Sequence, residues 1–594
     1  MNWSHELLAS LIWLGKAFVV SAFGLAVTVV FLGRFTEWGR KFRRISSAYF
    51  TSKGRVRSWM ALALIMLLTL FSVRMNVLFS FWYNGFYSAM QNLDAKAFWF
   101  MLLVFTVLAT VSVGHALVNF YIRQRFLIHW RVWLTTALVE RWLEGQTYYR
   151  SQYVTQSADN PDQRIQQDVD SFVSSSLSLS MGLLNSVVSL FAFTIILWSL
   201  SGALMLFGIE IPRAMVVLVY IYVIVATVFA VWVGRPLVRL SFLNEQLNAN
   251  FRYALIRLRE YGESIAFFGG EAIEGRNLLA RFASVIRNVW AIVFRSLKFQ
   301  GFNLAVSQTA VVFPFIVQAP RLLSKQITLG DMIQTAQSFG QVQDALSFFR
   351  TSYDDFASYR AVLNRLSGFL DVMDSAQQLP VTLVEDANHR IEMESLSVRT
   401  PSKVMLVENL NMSLAAASSL LIRGRSGVGK TTLLRAVAGL WPYVDGRVLR
   451  PLGRNTLFLP QKPYLPLGTL RVALYYPAEV QDGDEASVIL RKCHLDHLIP
   501  HLDEEANWTN ILSLGEQQRL AMGRALLGQP QVVFLDEASS AMDESLEHSV
   551  YETLRQSLPQ TILVSVGHRS SLLKFHTQEL ELLGEGAWRL RDLP

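Results

Sequence analysis

Charge and cysteine are scarce in this 594-residue sequence. Charged side chains make up 17% of the residues, against about 25% in an average soluble chain. Together with 52% hydrophobic residues, 38 Phe and 15 Trp, that deficit excludes a disordered chain and argues against an ordinary soluble enzyme. The single cysteine, Cys493, excludes an intrachain disulfide and a cysteine-built zinc site. Cys493, His494, His497 and His501 sketch a metal site on paper, but Pro500 interrupts the helical spacing, so they read as surface packing. The flank before the first apolar run, MNWSHELL, lacks Lys and Arg. That run also exceeds the roughly 7–15 residues of a signal-peptide core, so it predicts a retained helix. The formal charge of +8 is spread over loops beside apolar runs, as in a membrane protein and unlike a nucleic-acid binder.

Runs long enough to span are Ala9–Gly33, Ser58–Trp82, Phe98–Ile122, Met181–Leu204, Ala214–Val233 and Phe302–Pro320. Each supplies the roughly 20 residues needed to cross about 30 Å of hydrocarbon. A seventh, Gly330–Phe349, carries Asp331, Asp344 and four glutamines. Basic residues after the first run, from Arg34 to Arg57, place that segment in the cytoplasm. Alternation from there puts 123–180, 234–301 and everything after 350 on the same side. The two long inner segments contain helix-like stretches, and predict spans that continue into the cytoplasm as stalks. Arg74 lies within the second span, a costly placement. It lines a substrate pathway, snorkels outward or pairs with Asp331. Gln334, Gln337 and Gln341 share one helix face that lipid does not tolerate. That face serves either substrate contact or helix–helix hydrogen bonding.

The composition changes near Asp386: short β-type runs begin to alternate with helical ones, as in an α/β domain. The expected division is an extra N-terminal helix and basic segment (1–57), a permease domain (58–370), a linker (371–385) and a nucleotide-binding domain (386–594). In SLLIRGRSGVGKTTLLRAVAGL, a strand, a glycine-rich turn and a helix, residues Gly424-Arg425-Ser426-Gly427-Val428-Gly429-Lys430-Thr431 fit the P-loop, with Thr432 following. Glycines let backbone N–H groups approach phosphates, Lys430 reaches the β- and γ-phosphates, and the Thr431 hydroxyl suits Mg²⁺. In QVVFLDE, an apolar strand ends in Asp536, a Mg²⁺ residue, and Glu537, placed to polarise the attacking water.

These motifs and their neighbours resemble the ATP-binding cassette (ABC) transporters. Gln461 matches the Q-loop, which also serves Mg²⁺. Leu512-Ser513-Leu514-Gly515-Glu516-Gln-Gln-Arg519 resembles the signature motif, Ser540-Ala-Met-Asp543 the D-loop and His568 the switch histidine. Leu514 stands where the signature usually has glycine. Thr400 stands where an aromatic usually stacks on adenine, leaving Arg399 as a cover for the base. Asp159-Asn-Pro-Asp162-Gln-Arg164-Ile165, Glu263-Ser-Ile-Ala-Phe-Phe-Gly-Gly-Glu271 and Asn84–Gln91 are similar to half-transporters of the peroxisomal fatty-acyl-CoA group and to SbmA/BacA-type uptake proteins. The resemblance covers residues 58–594.

It implies an α-helical transmembrane domain, with an exporter-type six-helix core plus one N-terminal helix, followed by an α/β P-loop ATPase domain. It implies ATP and Mg²⁺ as cofactors and a multi-pass inner-membrane location. It also implies a homodimer in which Ser513, Leu514, Gly515 and Glu516 act in trans, and Asp162, Arg164 and Glu263 act in coupling. The expected function is uptake of peptide-like or corrinoid compounds. The rivals are export of amphipathic or acyl compounds, and a membrane-anchored ATPase regulating a partner.

Overall fold

The computed structural model describes the chain except residues 1–2, 52–54, 155–159, 203, 207–208, 212, 381–382, 387–388, 482 and 594. Asp159 of the expected coupling segment therefore lies outside the described residues. Two compact units emerge: 1–142 with 158–371, and 143–157 with 372–594.

The first unit is helical. Its elements are α1 (Trp3–Phe35), α2 (Glu37–Thr51), α3 (Arg55–Gln91), α4 (Ala95–Leu143), α5 (Val169–Leu200), α6 (Ala214–Glu260), α7 (Gly262–Phe268), α8 (Glu271–Leu323), α9 (Leu329–Thr351) and α10 (Tyr353–Gln377). Among the described residues, six helices are long and apolar enough to cross a membrane. They are α1, α3, α4, the helix ending at Leu200, α6 and α8. The more polar α9 is also helical, over the seventh run seen in the sequence. With 49, 47 and 53 residues, α4, α6 and α8 are each about 70–80 Å long at 1.5 Å per residue. That is more than twice the hydrocarbon thickness, as the stalk reading requires. Most of α1 is exposed around its apolar surface, including Val20 and Phe23, as a helix facing lipid must be.

Helices α3 and α9 meet without clearance. A Cβ on Gly330 would lie 2.1 Å from the Asn84 carbonyl oxygen, so only glycine allows this approach. Thr328 caps α9 through a capping box with Asp331, satisfying end N–H groups that lipid could not.

The second unit holds β1 (Leu383–Asp386), β2 (Arg390–Arg399), β3 (Met405–Ala415), β4 (Ser419–Gly424), α11 (Lys430–Val437), β5 (Val444–Arg450), β6 (Thr456–Leu459), α12 (Leu514–Gly528), β7 (Val532–Asp536), α13 (Glu544–Ser557), β8 (Ile562–Val566), β9 (Gln578–Gly584) and β10 (Ala587–Asp592). One sheet has the order β10-β9-β4-β8-β7-β6, and every pairing from β9 to β6 is parallel. A second sheet has the order β1-β5-β2-β3. Strands β7 (VVFLD) and β8 (ILVSV) are buried almost throughout, the continuous apolar run of a parallel strand covered on both faces. Phe458 and Phe534 stack between β6 and β7 with centroids 4.3 Å apart. This register brings the carboxyl ends of β4 and β7, and so the P-loop and Asp536-Glu537, to one edge.

Candidate functional site

The chain turns out of β4 at Gly424 (φ +147°), where a Cβ would meet the Leu582 carbonyl at 2.6 Å. Gly427 and Gly429 also have positive φ, so Arg425, Ser426 and Val428 are carried in a loop whose N–H groups open α11. Lys430 is buried and folds back, its Nζ donating to the Gly424 and Arg425 carbonyls at 3.1 and 3.2 Å. The Thr431 hydroxyl donates to Asp536 Oδ1 at 3.1 Å, with Thr432 next on the helix. Burial pushes the Asp536 carboxyl above the usual range. The Thr431 hydrogen bond opposes this and neighbouring Glu537 adds to it. A hydroxyl beside a carboxylate is the oxygen donor set that suits Mg²⁺.

Glu537 has φ +50°, in the left-handed region, and its N–H donates to the Val566 carbonyl at 3.1 Å. Gln461 Nε2 donates to one carboxylate oxygen at 3.2 Å, and His568 Nε2 stands 3.4 Å from the other. Sequence-distant Thr431, Gln461, Asp536, Glu537 and His568 thus form one connected set. Ser513 caps α12 through a capping box with Glu516, and Leu514 is 40% exposed at the first turn. His497 contacts the free oxygen of Glu516 at 2.9 Å, His494 contacts Ser549 and His501 contacts Glu504, while Cys493 is buried in the core. Arg399, the residue expected to cover the base, pairs with Asp445 at 3.0 Å at the surface.

The remaining expected residues lie in the helical unit. Arg74 turns to α1, where Nη2 meets Glu6 at 2.8 Å and Nε donates to Ser10 at 3.0 Å; it does not pair with Asp331. Gln334 is buried and accepts from Asn84, which also donates to Asp331. Gln337 and Gln341 follow on α9, half-buried. Asp162 is exposed, whereas Arg164 is buried against Asp168 at 2.7 Å. Asp168 is gripped in turn by Arg365 through two hydrogen bonds. Glu263 lies exposed in the first turn of α7.

Two features escaped the sequence reading. Residues 143–157 group with the cassette: Tyr153 packs edge-on to Trp441 at 5.2 Å and lies 6.4 Å from Tyr443. The aromatic cluster Tyr148, Tyr149, Tyr153 was the available signal. In the helical unit, a cavity of about 550 Å³ opens among α3, α4 and α5, lined by Ser72, His115, Asn119, Arg123 and Ser175 among others. His115 Nε2 donates to the Leu68 carbonyl at 2.8 Å, and Asn119 Oδ1 is buried without a partner. Polar groups at membrane depth are tolerated where they line such a space.

A helical membrane unit followed by an α/β unit with a P-loop is the plan of an ABC half-transporter, and this chain belongs to that family. The family profile "ABC transporter transmembrane region 2" matches residues 45–323, and "ABC transporter" matches 407–540. An uncharacterized ABC transporter ATP-binding protein of Haemophilus influenzae is 47% identical over 99% of this chain and 100% of its own length. The inner membrane ABC transporter ATP-binding protein YddA of Escherichia coli is 29% identical over 89% and 95%. The human lysosomal cobalamin transporter ABCD4 is 28% identical over 90% and 94%. The cassette binds ATP, and the protein is a multi-pass inner-membrane transporter.

Proposed function

We propose that two copies of this chain form an ATP-driven importer of hydrogen-bonding solutes, peptide-like or corrinoid. The observation that carries the catalytic half of this reading is the set around Glu537, with Gln461 and His568 on its two carboxylate oxygens. Glu537 takes the proton of the attacking water while Gln461 and His568 hold its carboxylate in place. Lys430 leaves the Gly424 and Arg425 carbonyls and turns to the β- and γ-phosphates. Thr431, Gln461 and Asp536 would hold Mg²⁺, which would neutralise phosphate charge. One chain carries one cassette, so Ser513 and Gly515 serve the partner's nucleotide.

The polar cavity supports the solute class: hydroxyls, an imidazole, an unpartnered amide oxygen and a guanidinium suit a solute rich in donors and acceptors. The cobalamin transporter among the relatives supports the corrinoid arm. The stroke passes along α4 into 143–157, which rides with the cassette, and through Asp162, Arg164 and Glu263. ATP-driven flux of peptides, corrinoids and acyl-CoAs into right-side-out and inside-out vesicles tests the reading. Uptake of a peptide or corrinoid in the cytoplasmic direction is expected; flux in the opposite direction overturns the importer.

A further inference from the structure

Helix α2 joins two membrane helices and has two unlike faces. Trp38, Phe42, Ile45 and Tyr49 share one, and Arg40, Arg43, Arg44 and Ser47 share the other. The apolar face is already occupied by the helical unit. Trp38 packs edge-on to Phe356 at 5.2 Å, Phe42 lies 6.0 Å from Phe172, and Tyr49 stacks on Trp130 at 5.6 Å. The face left outward is therefore the basic one.

Both ends of α2 fix its depth. Arg34 follows directly on the apolar run of α1, and Arg57 directly precedes the apolar run of α3. Phe31 and Phe35 on α1, and Trp59 and Met60 on α3, are exposed beside those ends, as lipid-facing residues are. Trp59 Nε1 donates to the Phe50 carbonyl at 3.3 Å, and indoles are enriched at the boundary between membrane and water. At the other end a Cβ on Gly39 would collide with the Leu32 carbonyl. Thr36 Oγ1 donates to that same carbonyl at 2.7 Å and accepts from the Gly39 N–H at 3.1 Å. Helix α2 thus lies across the cytoplasmic ends of α1 and α3, at the level of the headgroup phosphates.

Its basic groups divide into two sets. Lys41 pairs with Glu37, and Arg44 with Asp371 of α10. Arg34, Arg40, Arg43 and Arg57 are exposed and have no carboxylate partner among the described residues. Arg43 reaches back over α1, since a Cβ on Gly33, next to Arg34, would lie 3.7 Å from its Cδ. Guanidiniums free of carboxylates at this depth suit a phosphate, onto which each forks two N–H groups.

We infer that the basic face of α2, with Arg34, Arg40 and Arg43 at its centre, binds the headgroup of an anionic phospholipid of the inner leaflet. A zwitterionic lipid is the weaker ligand, because its own cation opposes the guanidiniums.

The test uses the purified full-length protein in detergent micelles. Fluorescent phosphatidylglycerol and a matched phosphatidylcholine are titrated against wild type, Arg40→Gln/Arg43→Gln and Arg34→Gln. Arg276→Gln/Arg281→Gln is the control, losing the same charge from exposed sites on α8. Wild type is expected to bind phosphatidylglycerol at least about 10-fold more tightly than phosphatidylcholine, with the margin shrinking as salt is raised. The Arg40/Arg43 variant is expected to lose about 10- to 30-fold of that affinity, and Arg34→Gln about 3- to 10-fold. The α8 control is expected to keep it. A micelle has no leaflets, so the loss cannot come from reversed topology. Melting temperature and ATP hydrolysis on the same samples show which variants are folded, and Arg34→Gln keeps the test open if the double variant is not. Equal affinity of wild type for the two lipids overturns the inference, as does affinity retained in the folded α2-face variants. An equal loss in the α8 control overturns it too, because net charge alone then explains binding. Displacement of the lipid by millimolar inorganic phosphate assigns a free-anion site and overturns the lipid assignment.

Discussion

Glu537 follows directly on a buried strand, and its carboxylate is held at both oxygens. Glu537→Gln is therefore expected to keep ATP binding and lower turnover at least about 100-fold, because it removes the base and leaves Lys430 in place. Lys430→Ala is expected to weaken equilibrium ATP binding instead. Radiolabelled ATP binding beside phosphate release separates the two. His576 offers a stability test. It is buried, and its Nδ1–H donates to the Leu572 carbonyl at 2.7 Å, leaving Nε2 to accept from Ser565 at 2.8 Å. Burial lowers its pKa from the ordinary 6.5 to about 4, so the folded cassette holds it neutral. Between those values the unfolded chain binds the extra proton. Stability is therefore complete above pH 6.5 and falls by about 3 kcal/mol as pH drops toward 4. Thermal melts of wild type and His576→Gln across that window should show a shallower acid slope in the variant.

At the scale of elements, Arg164 and Asp162 separate although they are two residues apart. Arg164→Ala leaves Asp168 with Arg365 alone and is expected to cost about 1–3 kcal/mol, read as a lower melting temperature. Asp162→Ala, at an exposed site, is expected to leave melting nearly unchanged, whereas Tyr153→Ala also removes packing on Trp441 and is expected to lower it. Both should reduce flux per ATP hydrolysed. The N-terminal helix supplies another case: Glu6→Gln removes the counter-charge of Arg74 and should destabilise the protein by about 2–3 kcal/mol, with Arg74→Leu added to it restoring most of the loss.

The P-loop, the buried strands and the long stalks were legible because each is a local pattern: glycine spacing, a continuous apolar run, or basic loops between spans. The partner of Arg74 was not legible, because Glu6 is 68 residues away on another helix. The tyrosines at 148, 149 and 153 signalled a packing surface, but not its partners, since Trp441 and Tyr443 lie far along the chain.

For the whole molecule, the seam between α3 and α9 limits which movements are available. Gly330 packs too closely on the Asn84 carbonyl to admit a side chain, and Asn84, Asp331 and Gln334 lose hydrogen bonds if either helix slides by a residue. These two helices are therefore expected to travel as a single rail. The play in the mechanism falls to the long pair α6 and α8, which carry internal prolines at Pro236, Pro314 and Pro320. Spin labels placed across the α3–α9 seam should hold one distance through the ATP cycle, while a pair reporting α6 against α9 changes. A protein that opens by parting α3 from α9 would instead have to break the contact that makes Gly330 irreplaceable.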